Sequence, residues 1–131
     1  MVRPLISRSL VARPTAASEA RKHLAAIADQ LPPDKFDDLR LLVSELVTNS
    51  VKYSGKGMGD AVLVGFAVKM APGRLRVEVA DAGRGFQKHV TPMRPDQQSG
   101  WGLKIVDQLS DRWGVDSRNG SGSTVWFEID L

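Results

Sequence analysis

The segment from Asp34 to Tyr53 restricts the possible folds more than any other part of this sequence. Its apolar residues recur every three or four positions, which is the period of an α-helix with one buried face. That predicted face consists of Phe36, Leu39, Val43, Leu46, Val47 and Ser50. Two prolines, Pro32 and Pro33, separate it from a shorter helix predicted over Ala16–Ala28. A helix with one apolar face needs a second layer of structure to cover it.

Most of the predicted strands follow these two helices. Ala61–Met70 is almost wholly apolar, and Arg74–Ala80 alternates between apolar and charged residues up to Val79. The remaining predicted elements are a first strand at Arg3–Leu10, a short helix at Leu103–Leu109, and a closing hairpin of Trp113–Asp116 and Thr124–Ile129. We therefore predict one α+β domain over residues 1–131. It is a two-layer α/β sandwich whose mixed, mainly antiparallel sheet is covered on one face by helices.

Composition excludes several classes of function. The 131 residues are 42% hydrophobic and 25% charged, and no apolar run approaches the roughly 20 residues that span a membrane. There is no cysteine, and His23 and His89 are the only histidines, so we expect neither a zinc cluster nor a histidine triad. The net charge of +3 comes from scattered residues, which argues against nucleic-acid binding. The first residues do not have the pattern of a signal peptide, so the expected compartment is the cytoplasm.

Polar residues interrupt the pattern of the long helix along one side. Glu45, Asn49 and Lys52 are spaced i, i+4 and i+7, so at about 100° per residue they share one arc beside the apolar face. Carboxylate and amide oxygens suit a Mg²⁺ ion that bridges phosphates, and an ammonium suits a phosphate. A solvated stripe that only supports the helix explains the same spacing, and it is the preferred interpretation of this feature taken alone.

An acidic residue ends the alternating strand. Asp81 continues the parity of Val77 and Val79, so its carboxylate should point inward, where it needs hydrogen-bond donors. The amino group of a ring such as adenine would satisfy it, and Gly83 and Gly85 would let a ligand approach the backbone closely. An Asp81 that accepts N–H groups within its own turn is an equally good interpretation.

Two glycines precede the third predicted helix. Gly100 and Gly102 come just before Leu103, and the N–H groups at a helix N-terminus favour phosphate. A glycine pair is more often a plain loop, and this one matches neither a P-loop nor a dinucleotide fingerprint. The polar segment before it, Gln87–Ser99, contains two prolines and predicts a flexible loop.

In combination, the three segments resemble the GHKL ATPases, the superfamily of gyrase and the histidine kinases. Residues 45–54, ELVTNSVKYS, are similar to its N box; residues 81–86, DAGRGF, to its G1 box; and residues 100–106, GWGLKIV, to its G2 box. The likeness extends over nearly the whole chain and is closest to the small anti-sigma factor kinases of bacteria. It implies the Bergerat ATP-binding fold. Trp101 departs from the pattern, because that position is often polar or basic in the family.

The resemblance implies roles for the matched residues. Glu45 would be the general base for a substrate hydroxyl, Asn49 would hold Mg²⁺, and Lys52 would approach the phosphates of ATP. Asp81 would bind the adenine amino group, and Gln87–Ser99 would be a lid that is ordered only with nucleotide. The other implied nucleotide-binding positions are Tyr53, Gly83, Gly85, Gly100, Gly102, Leu103 and Thr124, of which Thr124 would lie near the adenine.

The function that the resemblance implies is that of an ATP-dependent serine/threonine kinase acting as an anti-sigma regulatory factor. Such a protein would bind a sigma factor, phosphorylate a serine on an antagonist (anti-anti-sigma) protein, and form a homodimer. Two alternatives stay open: the ATP-binding domain of a histidine kinase, and a non-catalytic module whose partner-binding face is set by nucleotide. The sequence around His23, EARKHLAAI, argues against the first, because it lacks the acidic residue that follows a phosphoacceptor histidine.

Overall fold

The computed structural model describes residues 2–54, 63–81, 101–118 and 122–131. The helices are α1 (Ala16–Leu24), α2 (Pro33–Ser54) and α3 (Trp101–Leu109), and a 3₁₀ turn at Ala25–Gln30 follows α1. The strands are β1 (Arg3–Val11), β2 (Leu63–Ala71), β3 (Arg74–Asp81), β4 (Arg112–Arg118) and β5 (Gly122–Asp130). The predicted order of elements is confirmed, although the first helix ends at Leu24 and not at Ala28. No helix in the described part of the chain is long and apolar enough to cross a membrane.

The five strands form one sheet in the order β1-β2-β3-β5-β4. All four pairings between these strands are antiparallel, so the expectation of a mixed sheet is wrong for the described strands. The turn between β2 and β3 consists of Pro72 and Gly73, and Gly73 has a φ of 78°, which glycine adopts at little cost. Short turns of this kind suffice to join antiparallel strands, whereas parallel strands need a long crossover.

The helices cover one face of the sheet, as predicted. The α2 helix packs against β2 and β3, with α1 beside it toward β1 and α3 beside it toward β4. Most of the predicted apolar face of α2 lies at this contact and is almost completely buried, namely Leu39, Val43, Leu46, Val47 and Ser50. The strand residues that meet it include Val64, Phe66, Val77, Val79 and Phe127. The hydrophobic core is therefore the layer between the helices and the sheet.

The other face of the sheet carries a ladder of charges across β3, β5 and β4. Arg76 donates hydrogen bonds to Glu78 over 2.9 Å and to Glu128 over 3.1 Å. Its guanidinium also stacks on the ring of Trp126, at 4.1 Å from the ring centre. Arg112 donates to Glu128 over 2.8 Å. The hydrogen bond from Arg112 lowers the pKa of Glu128, burial raises it, and Arg76 lowers it further, so that the pKa lies below its ordinary value.

Replacing this carboxylate tests the ladder. The Glu128→Gln variant should lose about 1–2 kcal/mol of unfolding free energy near neutral pH, the low end of the range for charged hydrogen bonds because Arg112 is partly solvated. A lowered carboxylate pKa stabilises the fold above the unfolded-state pKa, and this contribution is lost as pH falls through the folded-state pKa. The variant should therefore lose less stability than the wild type on acidification below about pH 5. Urea unfolding across this range measures both effects.

Asp116→Asn is the matched control for this variant, since Asp116 is exposed and lies on β4 on the same face of the sheet. It should leave both the stability and its pH dependence close to those of the wild type. The same acid dependence in Glu128→Gln as in the wild type would show that Glu128 does not contribute through its charge.

Candidate functional site

A charge in the first turn of α2 shows at which end of the sheet this helix begins. The pKa of Asp130 is lowered first by a hydrogen bond from Arg112 and more weakly by the charges of Arg74 and Lys35. Lys35, near the start of α2, is thus close to the end of the sheet where Asp130 pairs with Arg74. A helix of 22 residues is roughly 33 Å long, about the length of the sheet below it. The C-terminal half of α2 therefore lies over the opposite end of the sheet, where Asp81 ends β3.

The polar stripe of α2 belongs to this C-terminal half. The side chains of Glu45 and Asn49 are half-buried and that of Lys52 is exposed, which agrees with a stripe at the border of the apolar face. None of the ion pairs among the described residues includes Glu45 or Lys52. An acid, an amide and an ammonium thus lie within about two helical turns of one another, and neither the acid nor the ammonium has an ion-pair partner among those residues.

The register of the sheet fixes the place of Asp81. It is the last residue of β3 and pairs with Val64 of β2 on one side and with Ser123 of β5 on the other. Its register position has the parity of Val77 and Val79, both of which are buried beneath the helices. The structure thus brings the strand position of Asp81 and the polar stripe of α2 to the same end of the domain.

The third predicted segment is described only in part. The α3 helix begins at Trp101, two residues before the predicted start at Leu103, so Gly102 and Leu103 belong to its first turn. This helix packs against α2. Tyr53 belongs to the last turn of α2. Gly83, Gly85, Gly100 and the predicted lid at Gln87–Ser99 lie outside the described residues.

The structure places Thr124 on the face of the sheet that is turned away from α2, so it does not bring Thr124 together with the polar stripe. Thr124 pairs with Ala80 and shares the face of Trp126, and it lines a shallow depression on the side of the sheet that faces away from α2. Its neighbour Ser123 has the parity of Val125 and Phe127, is only 4% exposed, and pairs with Asp81. Strand alternation therefore assigns the inward position to Ser123. The alternation of Val125 and Phe127 in the sequence could have predicted that Ser123, and not Thr124, faces the core.

Ser50 is a second residue at this end of the domain that the sequence analysis does not name as a site residue. It was predicted on the apolar face of α2, and it lies there with 1% of its surface exposed. Its Oγ has no hydrogen-bond partner among the described residues. Buried hydroxyls are nearly always bonded, so this hydroxyl, one residue from the stripe, needs a partner that the described residues do not supply. The residues present therefore fit a bound nucleotide at this end of the domain.

The donor set also suits the metal that accompanies a nucleotide. No cluster of three or more His, Cys, Asp or Glu that could hold a metal ion occurs in the described ranges. Mg²⁺ needs no such cluster, because it keeps several waters and is usually held by one or two protein oxygens together with phosphates. The side-chain carbonyl oxygen of Asn49 is such an oxygen.

Comparison with known proteins identifies the family. Residues 10–129 match the model of the histidine kinase-like ATPase domain. The chain is 31% identical over 117 residues to the anti-sigma F factor of Clostridium acetobutylicum, a match that covers 82% of this chain and 80% of the relative. It is 24% identical over 98 residues to the serine-protein kinase RsbW of Staphylococcus epidermidis, covering 66% and 62% of the two chains.

A solved structure has the same fold. The crystal structure of RsbU and RsbW domains from Mycobacterium tuberculosis superposes with a TM-score of 0.73 at 22% identity, over 98% of this chain and 32% of the longer one. The chain belongs to the histidine kinase-like ATPase family, and the resemblance of its three motifs to the GHKL ATPases is confirmed.

The two neighbouring hydroxyls of β5 give a matched test of the site. Ser123→Ala should weaken binding of MgATP about two- to tenfold, the value of one net hydrogen bond, because Ser123 is buried beside the strand position of Asp81. Thr124→Ala should leave the affinity within about twofold of wild type, since Thr124 is on the other face. Calorimetric titration of both variants measures this. Weaker binding in Thr124→Ala alone would contradict the assignment.

Proposed function

We propose that the protein is an ATP-dependent serine/threonine kinase that acts as an anti-sigma regulatory factor. The observation that supports this most strongly is the position of Glu45 and Asn49. They lie one helical turn apart, half-buried and at the end of the domain where Asp81 pairs with Ser123. A carboxylate one turn away from an amide oxygen that can hold Mg²⁺ suits the transfer of a phosphoryl group to a hydroxyl. The relatives named anti-sigma F factor and serine-protein kinase RsbW support the same class of function.

The residues divide between binding and chemistry. Asp81 would accept a hydrogen bond from the adenine amino group, with Gly83 shaping that pocket and Tyr53 at its border. Asn49 would hold Mg²⁺, which neutralises charge on the phosphates when it is bound, and Lys52 would add a positive charge there. The other residues around the phosphates would be Gly85, at the start of the lid, and Gly100, together with Gly102 and Leu103, whose amides lie in the first turn of α3.

Glu45 would act on the serine that receives the phosphoryl group. Its carboxylate would accept the proton of a serine hydroxyl while that oxygen forms a bond to the γ-phosphorus of ATP. The bond from this phosphorus to the β–γ bridging oxygen breaks, and ADP leaves. Half-burial of Glu45 suits this task, because a base at the border of the core can be close to the nucleotide and still be reached by a partner protein.

The partners follow from the proposed class. The serine would belong to an antagonist protein, and the protein would inhibit a sigma factor in the cytoplasm as a homodimer. No direct contact with nucleic acid is needed for this function.

Glu45→Gln tests catalysis separately from binding. Removal of a general base should lower the rate of phosphoryl transfer to the antagonist about 10²- to 10⁴-fold. The affinity for MgATP should change little, because glutamine keeps the size of the side chain and Asn49 remains. Transfer is measured with radiolabelled ATP and a candidate antagonist protein, and affinity by calorimetry.

Asp38→Asn is the control, since Asp38 is half-buried on the same side of α2 about two turns before Glu45. It should transfer phosphate at the wild-type rate. A wild-type protein that binds MgATP but phosphorylates no candidate antagonist, together with full partner inhibition by Glu45→Gln, would contradict the kinase and favour the nucleotide-gated module.

A further inference from the structure

The short connection between α3 and β4 turns the chain back on itself. Only Ser110 and Asp111 separate the two elements. The backbone N–H of Asp111 donates to the carbonyl oxygen of Glu128 over 2.9 Å, and its carboxylate accepts from the backbone N–H of Asp130 over 2.7 Å. These two bonds attach the corner between α3 and β4 to β5, at the end of the sheet opposite to Asp81.

The direction of α3 follows from this attachment. Its last residue, Leu109, lies next to the attached corner, and its first turn, with Gly102 and Leu103, is at the other end of a helix roughly 14 Å long. Because α3 packs against α2 and contacts β4, its first turn points along the domain toward the end where Asp81 lies. The amides proposed to bind phosphate are therefore at the end of α3 opposite to the attached corner.

A side-chain hydrogen bond links α3 to β4 between these two ends. Trp113 lies on the covered face of β4, pairs with Phe127, and packs partly buried against the core. Its indole Nε1 donates to Asp107 Oδ1 of α3 over 2.9 Å. Asp107 is one helical turn after Leu103 and on the same side of α3. This bond therefore restrains the tilt of the helix between its attached corner and its first turn.

The charge of Asp107 is unfavourable where it lies, apart from this bond. Asp107 belongs to the last turn of α3, where the helix dipole disfavours a carboxylate. A negative charge on α3 also repels phosphates bound at the first turn of the same helix. The hydrogen bond from the indole of Trp113 is the interaction that favours a carboxylate at this position.

We propose that Trp113 and Asp107 are positioning residues of the nucleotide site. Their bond holds α3 at the tilt at which the amides of Gly102 and Leu103 meet the phosphates of ATP. Hydrogen bonds weaken steeply as their distance and angle depart from the optimum, so a small change in tilt lowers the affinity for phosphates. This inference rests on the proposed ATP-binding function and deepens it, because it names the contact outside the site that places the phosphate-binding helix.

The test removes either partner of the bond, with Asp107→Ala or with Trp113→Phe. Both variants should bind ATP and ADP about two- to tenfold more weakly than the wild type, the value of one net hydrogen bond. Their affinity for adenosine, which has no phosphate, should be unchanged. Loss of the charge of Asp107 alone would have the opposite effect, because it would strengthen the binding of phosphates. Calorimetry with Mg²⁺ measures ATP and ADP, and an NMR titration measures adenosine.

Asp107→Asn separates the bond from the charge. It loses the same charge as Asp107→Ala but keeps an acceptor oxygen for Trp113, so it should bind ATP at least as tightly as the wild type. The variant with both Asp107→Ala and Trp113→Phe should bind ATP no more weakly than the weaker single variant, since both changes remove one bond. Gln108→Ala, at an exposed neighbouring position on α3, is the matched control and should bind all three ligands like the wild type.

A bond that only stabilises the fold would give a different result. Asp107→Ala and Trp113→Phe would then lower the melting temperature and leave the ratio of ATP affinity to adenosine affinity unchanged. That result, or equal weakening of all three ligands, would overturn the positioning role while the ATP site stands. If the wild type itself binds no ATP, the proposed function fails and this inference fails with it.

Discussion

The packing of α2 on the antiparallel sheet is the contact on which the rest of the structure depends. Leu39, Val43, Leu46 and Val47 are buried against strand residues such as Phe66, Val77 and Val79. Burial of apolar surface of this kind is the main source of stability in a folded chain of this size. The same contact fixes the rotation of α2 about its own axis, because only one face of this helix is apolar. The rotation in turn determines that Asn49 and Glu45 lie at the border of the core.

The two faces of the sheet carry different groups of residues. The covered face holds the core and, at its Asp81 end, the candidate site. The open face holds the ladder of Arg76, Glu78, Glu128 and Arg112, with Trp126 stacked beneath Arg76. Gly114 leaves room for that ring, since a Cβ atom there would be 2.8 Å from it. Because strand residues alternate between the faces, a shift of one position moves a side chain from the site to the ladder side.

The sequence predicts the local elements well and the contacts between distant elements less well. The helical period of residues 34–53 and the alternation of Arg74–Ala80 identify α2 and β3, because each is set by burial of one face. The position of β5 between β3 and β4 depends on pairing between distant segments, which periodicity does not contain. The resemblance implies Thr124 from residue type within a motif, whereas the parity of Val125 and Phe127 places Ser123 on the covered face and Thr124 on the open face. Ser50 fits the apolar pattern by spacing, and only the structure shows that its hydroxyl has no partner among the described residues.

The most direct test of this account is calorimetric titration of the protein with ATP and Mg²⁺, repeated on Asp81→Asn and on Asp116→Asn. The account predicts saturable binding by the wild type and a loss of at least about tenfold in Asp81→Asn, whose amide cannot replace the carboxylate as the acceptor for the adenine amino group without reorientation. Asp116→Asn, an exposed aspartate on the open face, should bind like the wild type. Equal affinity of Asp81→Asn and the wild type would contradict the assignment of this end of the domain as the adenine site.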